Sequence, residues 1–284
     1  MSLSRKRGEY PNLVISDVVD GGTITLWRNP AGVPFKEKDV WELTSEWTSP
    51  SNIHAAYSKL RDEESELAKS HAFAWDSEFG YLSPFPRHCG TAMHIEGTFH
   101  LEALHLIGDL PQALNAFPAI RFESSSVVED GIRQAAHLFR VGNTATLGVT
   151  EQELLDRAKS LFSDLAMQEV NARRALVEEM PRVIEDAIAR SIAVLRHARL
   201  LSPGEILDLL SPICLAASMG FIKGITANET RRLMRDQLNA PSLPESHTAE
   251  DDRRRDARDA RLADRFNKRF QTVSLNSYAE ECLF

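Results

Sequence analysis

The order of patterns along the sequence favours an α+β fold, with an antiparallel sheet flanked by helices and then a small helical region. Short runs with the alternating apolar pattern of strands dominate up to about residue 145, and helical periodicity dominates from residue 150 onwards. The 284-residue chain is 43% apolar and 7% aromatic, which is the composition of a globular protein with a sizeable core.

The first predicted strands lie near the N-terminus. The runs LVISDVV and TITLW are separated by Asp20-Gly21-Gly22, and this pattern favours a β-hairpin because glycine accepts a positive φ in a turn. Residues 95–101 alternate roughly as a half-buried strand does, and residues 119–122 and 137–141 are further strand candidates. Between the hairpin and these strands, residues 51–70 predict an amphipathic helix. Its apolar face consists of Ile53, Tyr57, Leu60 and Leu67.

The second half of the sequence predicts a run of helices. A hydroxyl residue three positions before a glutamate marks a helix start, and this signal occurs at residues 150–153, 202–205 and 226–229. The first of these helices is predicted to end near Glu179. Pro181 suits the first turn of the next helix, because the missing N–H of proline has no helical partner at that position.

The predicted organisation is one region over residues 1–200 and a helical region over residues 201–284. Residues 239–248, NAPSLPESHT, are rich in proline and serine and are typical of a linker. Residues 249–270 predict a highly charged helix with few apolar anchors. These anchors are Leu262, Phe266 and Phe270.

Charge and cysteine usage narrow the class of protein. A net charge of −8 argues against a general nucleic-acid partner or an anionic membrane surface. The three cysteines form no CxxC pair, so we expect neither a disulfide framework nor a cysteine-rich zinc site. Because the N-terminal residues lack the apolar run of a signal peptide and no membrane span is evident, a soluble cytoplasmic protein is expected.

The common nucleotide and nucleophile motifs are not found. The sequence contains no GxxxxGK[ST], GxGxxG or GxSxG pattern, so no phosphate-binding glycine loop and no catalytic serine is predicted. His88, Cys89, His94 and His100 fall within thirteen residues, and imidazole with thiolate is compatible with zinc. Their spacing fits no zinc pattern, so we predict no metal site.

Residues 79–93 read FGYLSPFPRHCGTAM. With the preceding HAFAWDSE, this stretch resembles the GYLTSCPTNLGTGLR segment of phosphagen (ATP:guanidino) kinases, and bacterial protein arginine kinases of the McsB type in particular. TLG at 146–148, AMQEVNARRAL at 166–176 and ARSIAVLRHARLLSPGE at 189–205 also resemble segments of that family. The resemblance covers roughly residues 13–270. It implies a catalytic-type α+β domain followed by the C-terminal region of protein arginine kinases, with the N-terminal part of those enzymes missing or reduced.

The resemblance also implies that catalytic side chains have been replaced. Family members hold the acceptor guanidinium with carboxylates from an NEED segment after a strand, and here TITLW is followed by Arg28-Asn29-Pro30-Ala31 without an acid. The family thiol position falls on Phe85, and Cys89 is displaced from it by four residues. We therefore assign no catalytic residue.

The resemblance implies a degenerate nucleotide site at two positions. The phosphate-binding arginine of the family's GTGLR falls on His94, which is mostly neutral at pH 7 and lacks the bidentate fork of arginine. A second family arginine falls on Arg121.

A further implied site lies near the C-terminus. RDARDA at residues 255–260 resembles the RDxRxA element with which protein arginine kinases bind phosphoarginine. Arg255 and Arg258 would hold the phosphate and Asp256 the guanidinium, because arginine offers a planar fork of donors and aspartate accepts from N–H groups. The alternative is a solvated charged helix with internal ion pairs.

Three hypotheses for function follow. The first is a degenerate, non-catalytic protein that binds phosphoarginine or arginine-rich protein segments, or regulates an active kinase or a second copy of itself, without a cofactor. The second is an active protein arginine kinase that uses Mg-ATP and a substitute carboxylate from Asp17, Glu96 or Glu123. The third is a structural subunit that forms a homodimer through its helices.

Overall fold

The structure is a computed structural model, and it describes five parts of the chain. These are residues 18–32, 40–115, 122–126, 135–238 and 249–276. The strands are β1 (Val19–Arg28), β2 (Trp41–Trp47), β3 (Trp75–Asp76), β4 (Gly80–Tyr81), β5 (Met93–His100), β6 (Phe122–Ser126), β7 (Leu138–Asn143), β8 (Ile222–Lys223) and β9 (Ser274–Leu275). The helices are α1 (Ile53–Ala68), α2 (Glu102–Ile107), α3 (Leu110–Asn115), α4 (Glu151–Glu179), α5 (Pro181–His197), α6 (Pro203–Ser218), α7 (Ala227–Leu238) and α8 (Ala249–Phe270).

The centre of the first half is a five-stranded antiparallel sheet with the strand order β2-β1-β5-β7-β6. One face is apolar and packs against α1 and α4, where Trp47 of β2 stacks on Phe162 of α4 with ring centroids 5.3 Å apart. The opposite side, which we call the open face, carries polar side chains because successive residues of a strand point to opposite faces. The predicted α+β architecture is confirmed.

The hairpin predicted around Asp20-Gly21-Gly22 is wrong, because β1 runs through these residues without reversing. Gly21 has a φ of 86°, and the register with β5 shifts between Val19 and Gly22, as in a β-bulge. A Cβ on Gly22 would lie 2.0 Å from the backbone oxygen of Glu96 and 2.4 Å from the Trp47 ring. The glycines therefore make room for a bulge and a tryptophan.

The predicted helix starts are confirmed. Thr150 and Glu153 form a complete capping box at the start of α4, which ends at Glu179, and Pro181 begins α5. Ser202 accepts a hydrogen bond from the Glu205 N–H at the start of α6. The short helices α2 and α3 and the strand β2 were not predicted.

The helical second half packs around α6, which contacts both α5 and α7, while α8 packs against α5. Phe266 and Phe270 of α8, two of the three predicted anchors, are buried, and so is Ala263. The predicted linker at 239–248 and the candidate strand residues 119–121 lie outside the described residues. The division near residue 200 stays a prediction. Within the described ranges, no helix combines the length and the apolar character that crossing a membrane requires.

Candidate functional site

Three segments of the sequence meet at the end of the sheet. The N–H of Tyr81 donates to the Gly90 oxygen at 2.9 Å, and the Gly90 N–H donates back to the Tyr81 oxygen at 3.1 Å. The N–H of Thr91 donates to the Thr146 oxygen at 2.9 Å. A Cβ on Gly90 would lie only 2.3 Å from that same oxygen. The GYL, GT and TLG stretches thus form one compact loop cluster that tolerates only glycine at position 90.

A buried ion pair contacts this loop cluster through Tyr81. Arg28 is fully buried, and its Nε donates to the carboxylate of Glu64, which also accepts from the Tyr81 hydroxyl at 2.9 Å. The guanidinium carbon of Arg28 lies 3.6 Å from the centroid of the Tyr81 ring. Burial raises the pKa of Tyr81. Arg28, the first residue after TITLW, is thus enclosed and already paired.

A continuous row of rings connects Phe85 to His94. Phe85 contacts His88 with centroids 5.4 Å apart, and His88 stacks on Trp27 at 3.7 Å with an interplanar angle of 2°. Trp27 then contacts His94 with centroids 5.9 Å apart. We call these four residues the aromatic row. By the resemblance, the family thiol corresponds to Phe85 and a family arginine to His94, so the row would join the two positions whose side chains are replaced.

The open face beside the aromatic row is acidic. The Trp27 indole N–H donates to Glu42 at 3.1 Å, and Glu46 of β2 also points to this side. His94 Nε2 lies 3.5 Å from Glu96 Oε2, and a side-chain hydrogen bond between them lowers the pKa of Glu96. Arg140 Nε lies 3.8 Å from Glu96. Near the aromatic row, the described part of this face thus carries the carboxylates of Glu42, Glu46 and Glu96 and the guanidinium of Arg140.

The remaining sequence candidates from the first half of the chain do not join the aromatic row where the structure describes them. Arg121 and Asp17 lie outside the described residues, and the side chain of Glu123 does too. The Cys89 thiol donates weakly to the oxygens of the loop itself, 3.7 and 3.8 Å away. His100 is buried at the far end of β5, so it does not join His88 or His94. The described residues contain no group of three or more His, Cys, Asp or Glu side chains placed so that they could hold a metal ion.

The C-terminal candidates lie on α8. Arg255 and Arg258 are half-buried on one side of the helix, where they pair with Asp252 and Asp259, the latter at 2.8 Å. Asp256 is exposed. The structure therefore brings the two arginines to one face, separate from His94 on the sheet.

A buried polar cluster at the junction of the two halves was not predicted. His137 Nδ1 and the hydroxyl of Ser211 both bond to Oε2 of Glu102, and His100 Nε2 lies 2.7 Å from that hydroxyl. His105 stacks on His137 with ring centroids 3.6 Å apart. The serine within the apolar run LLSPICLAA of α6 is a local signal for a buried polar contact, but its partners lie about a hundred positions away.

Comparisons with known proteins agree with the segments described above. Residues 37–172 match the family model "ATP:guanido phosphotransferase, C-terminal catalytic domain", and residues 181–281 match "Protein-arginine kinase McsB C-terminal domain". The first match begins after β1, so Arg28 lies before it.

Among the curated relatives is a protein-arginine kinase of Clostridium acetobutylicum, 27% identical over 187 residues, which cover 66% of this chain and 55% of that protein. A protein-arginine kinase of Moorella thermoacetica is 31% identical over 226 residues, covering 78% of this chain and 65% of that protein. The chain spans about half the length of the first curated relatives it matches.

Among solved structures, the taurocyamine kinase of Schistosoma mansoni with bound transition state analog components matches with a TM-score of 0.46 and 11% identity. That match covers 64% of this chain and 39% of the other. The adjoining matches to the two family models, together with the protein-arginine kinase relatives, show that the chain belongs to the ATP:guanido phosphotransferase family and carries a C-terminal region of the protein-arginine kinase McsB type.

Proposed function

We propose that this chain is a non-catalytic member of its family that binds phosphoarginine or arginine-bearing protein segments in the cytoplasm and acts as a binding or regulatory module. The observation that best supports the proposal is the aromatic row. By the resemblance, the two end rings, Phe85 and His94, stand where the family carries a thiol and a phosphate-binding arginine, and the row connects them. The protein would then use the family scaffold without phosphoryl transfer.

The charges on the open face support the same proposal. Transfer of a phosphoryl group depends on cations that neutralise the phosphate oxygens. Glu42, Glu46 and Glu96 face that side of the sheet, and Glu96 is held ionised by His94. Carboxylates repel phosphate by the same Coulomb interaction that makes arginines attract it. The described part of the face therefore disfavours a nucleotide.

Nucleotide binding tests the first half of the proposal. Mg-ATP at millimolar concentration is expected to leave the melting temperature unchanged, because only a ligand that binds the folded state stabilises it. The Moorella thermoacetica protein-arginine kinase serves as the positive control. Specific ATP binding together with transfer of 32P to an arginine-rich protein would refute the non-catalytic function.

Phosphoarginine binding tests the second half. Free phosphoarginine titrated into the protein in a calorimeter is expected to bind, and Arg255→Ala and Asp256→Ala are expected to weaken binding by about tenfold or more, since charge-assisted bidentate contacts are strong. Arg254→Ala is the matched control, because Arg254 lies on the same helix, is exposed and pairs with Glu250. Equal affinities in all four proteins would remove α8 as the binding site.

An active kinase remains the second candidate, and one observation favours it. Glu96 is an ionised carboxylate beside His94 on the open face, where it could hold an acceptor guanidinium. If the protein transfers phosphate, Glu96→Gln should abolish the transfer while Glu46→Gln, on β2 and two strands away, should leave most of it. If wild type shows no transfer under conditions in which the Moorella protein is active, this candidate is refuted.

A further inference from the structure

We propose that Trp75, Phe79 and Leu147 form a docking surface for a basic segment of a partner protein that carries apolar anchor residues. This surface specifies the arginine-segment partner of the proposed function and rests on that function for the partner's class. Trp75 is 61% exposed, Phe79 49% and Leu147 47%. A folded protein gains nothing from leaving such large apolar side chains in water, and exposed aromatic clusters mark interaction sites.

The three side chains emerge from adjacent backbone. Asp76 pairs with Gly80 across the β3–β4 hairpin, which places Trp75 and Phe79 on either side of that pair. A Cβ on Gly80 would lie within 3.0 Å of the Gly90 backbone, and a Cβ on Gly90 would lie 2.8 Å from the Cα of Leu147. These glycine contacts place Gly80, which follows Phe79, and Leu147 against the backbone of Gly90, so the exposed side chains emerge from adjoining segments.

The hairpin that presents this surface is well ordered by hydrogen bonds. The Asp76 carboxylate accepts from the N–H groups of Glu78 and Phe79 at 2.8 and 3.0 Å. The Leu82 N–H donates to the Ala74 oxygen at 2.9 Å. A surface fixed in this way loses little conformational entropy when a partner binds.

Charge determines the class of partner. Residues 75–81 of the hairpin contain two carboxylates and no Lys or Arg. Asp76 and Glu78 lie within the hairpin itself, and Glu78 is exposed. Complementary charge steers association and excludes like-charged partners. A basic segment with leucine or aromatic anchors fits this surface, whereas the same surface of a second copy would be repelled.

The test uses a fluorescein-labelled peptide of alternating arginine and leucine residues, with fluorescence anisotropy as the readout. Trp75→Ala and Phe79→Ala are expected to weaken binding by about tenfold, as for anchor residues at an interface. Leu200→Ala is the matched control, because Leu200 is also 52% exposed but lies between α5 and α6. It should leave the affinity within about twofold, since isolated exposed apolar residues add little. Unchanged thermal melts of the variants would show that they fold.

Two further arms test the chemistry of the partner. A peptide with glutamate in place of arginine should not bind, and Glu78→Lys should weaken binding of the arginine peptide. Equal peptide affinity in wild type, Trp75→Ala and Phe79→Ala would refute the docking surface. So would sedimentation showing a dimer that Trp75→Ala dissociates, because the occupant would then be a second copy.

The outcome is separable from that of the proposed function. If the wild-type protein binds phosphoarginine but does not bind the peptide, the docking surface alone is refuted. Transfer of phosphate from ATP to a protein would refute the non-catalytic function, whatever the peptide result. Loss of peptide binding in Arg255→Ala with normal binding in Trp75→Ala would assign the peptide to α8 and refute the docking surface.

Discussion

The imidazole of His137 and the buried carboxylate of Glu102 form a hydrogen bond of 2.5 Å at the junction between the sheet and α6. Burial alone would lower the pKa of His137, but its hydrogen bond to Glu102 and the charge of that carboxylate raise it overall. Burial alone would raise the pKa of Glu102, and its hydrogen bond to His137 lowers it overall. Each group thus favours the charged form of the other.

This pair predicts a pH-dependent contribution to stability. A raised pKa in the folded state means that the contribution of His137 is complete below its unfolded pKa and is lost as pH rises through the folded pKa. The lowered pKa of Glu102 means that its contribution is lost as pH falls through its folded pKa. The pair is therefore most stabilising between about pH 4.5 and 6.5. His137→Gln should cost about 1.5–3 kcal/mol at pH 6 and clearly less at pH 9. Urea unfolding at the two pH values measures this.

His105→Gln is the control for this prediction. The pKa of His105 is lowered by burial and by the charge of His137, on which it stacks. Because its pKa is lower in the folded state than in the unfolded state, His105 destabilises the fold as pH falls, so the variant should gain stability at pH 6 relative to pH 9, the opposite trend. Burial lowers the pKa of His100 to about 3, and this contribution cancels because both variants retain His100. The same cost for His137→Gln at both pH values would contradict the prediction.

Removal of Glu64 should destabilise the fold strongly. Arg28 is fully buried, and without Glu64 its nearest carboxylate is Glu151, 3.7 Å from Nη2. With only this longer contact left to balance a buried charge, Glu64→Ala should lower the free energy of unfolding by about 3–5 kcal/mol. Arg61→Ala is the control, because Arg61 binds the same carboxylate from an exposed position and should contribute less than about 1 kcal/mol. Urea midpoints measure both, and similar costs would show that Arg28 does not depend on Glu64.

Gly90 and Gly148 separate steric contact from backbone strain. Both have a positive φ, 92° and 72°, but a Cβ on Gly90 would meet the Thr146 oxygen at 2.3 Å while a Cβ on Gly148 meets nothing within 4 Å. Gly148→Ala should therefore cost only the strain, about 1–2 kcal/mol. Gly90→Ala should cost about 1–3 kcal/mol more, because backbone cannot move aside as a side chain does. Equal melting temperatures would mean that the loop cluster adjusts freely.

Local signals explain which parts of the fold could be predicted. The capping box of Thr150 and Glu153 acts within four residues, so the sequence alone predicts the start of α4. Gly21 and Gly22 are read as a turn because their actual role, making room for Trp47, depends on a residue about 25 positions away. Glu64 likewise lies at a helical position that looks solvated until Arg28 is placed beside it.

In the candidate site, too, local sequence patterns predict some features, and contacts between distant residues determine the others. The resemblance of residues 79–93 locates the loop cluster and the replaced positions Phe85 and His94. The aromatic row could not be predicted, because Trp27 meets His88 and His94 only through the register that pairs Leu26 with Met93 across β1 and β5.

Restoring two family side chains should not restore phosphoryl transfer. In the double variant Phe85→Cys, His94→Arg, the new arginine would lie beside Glu96, which is 3.5 Å from His94 in the wild type. It would pair with that carboxylate, while Trp27 and Glu42 remain in place on the open face. We expect no Mg-ATP binding by calorimetry, no 32P transfer, and a stability change below about 1 kcal/mol, as for an exposed ion pair.

Adding Glu96→Gln to the double variant supplies the matched comparison. Without its carboxylate partner, the arginine at position 94 becomes available to phosphate, and charge-assisted bonds from arginine to phosphate are strong. The triple variant should therefore bind Mg-ATP weakly where the double variant does not, still without transfer, because neither variant adds the family's acceptor carboxylates. If the double variant, which keeps Glu96, transfers phosphate, the acidic open face plays no part in the loss of phosphoryl transfer.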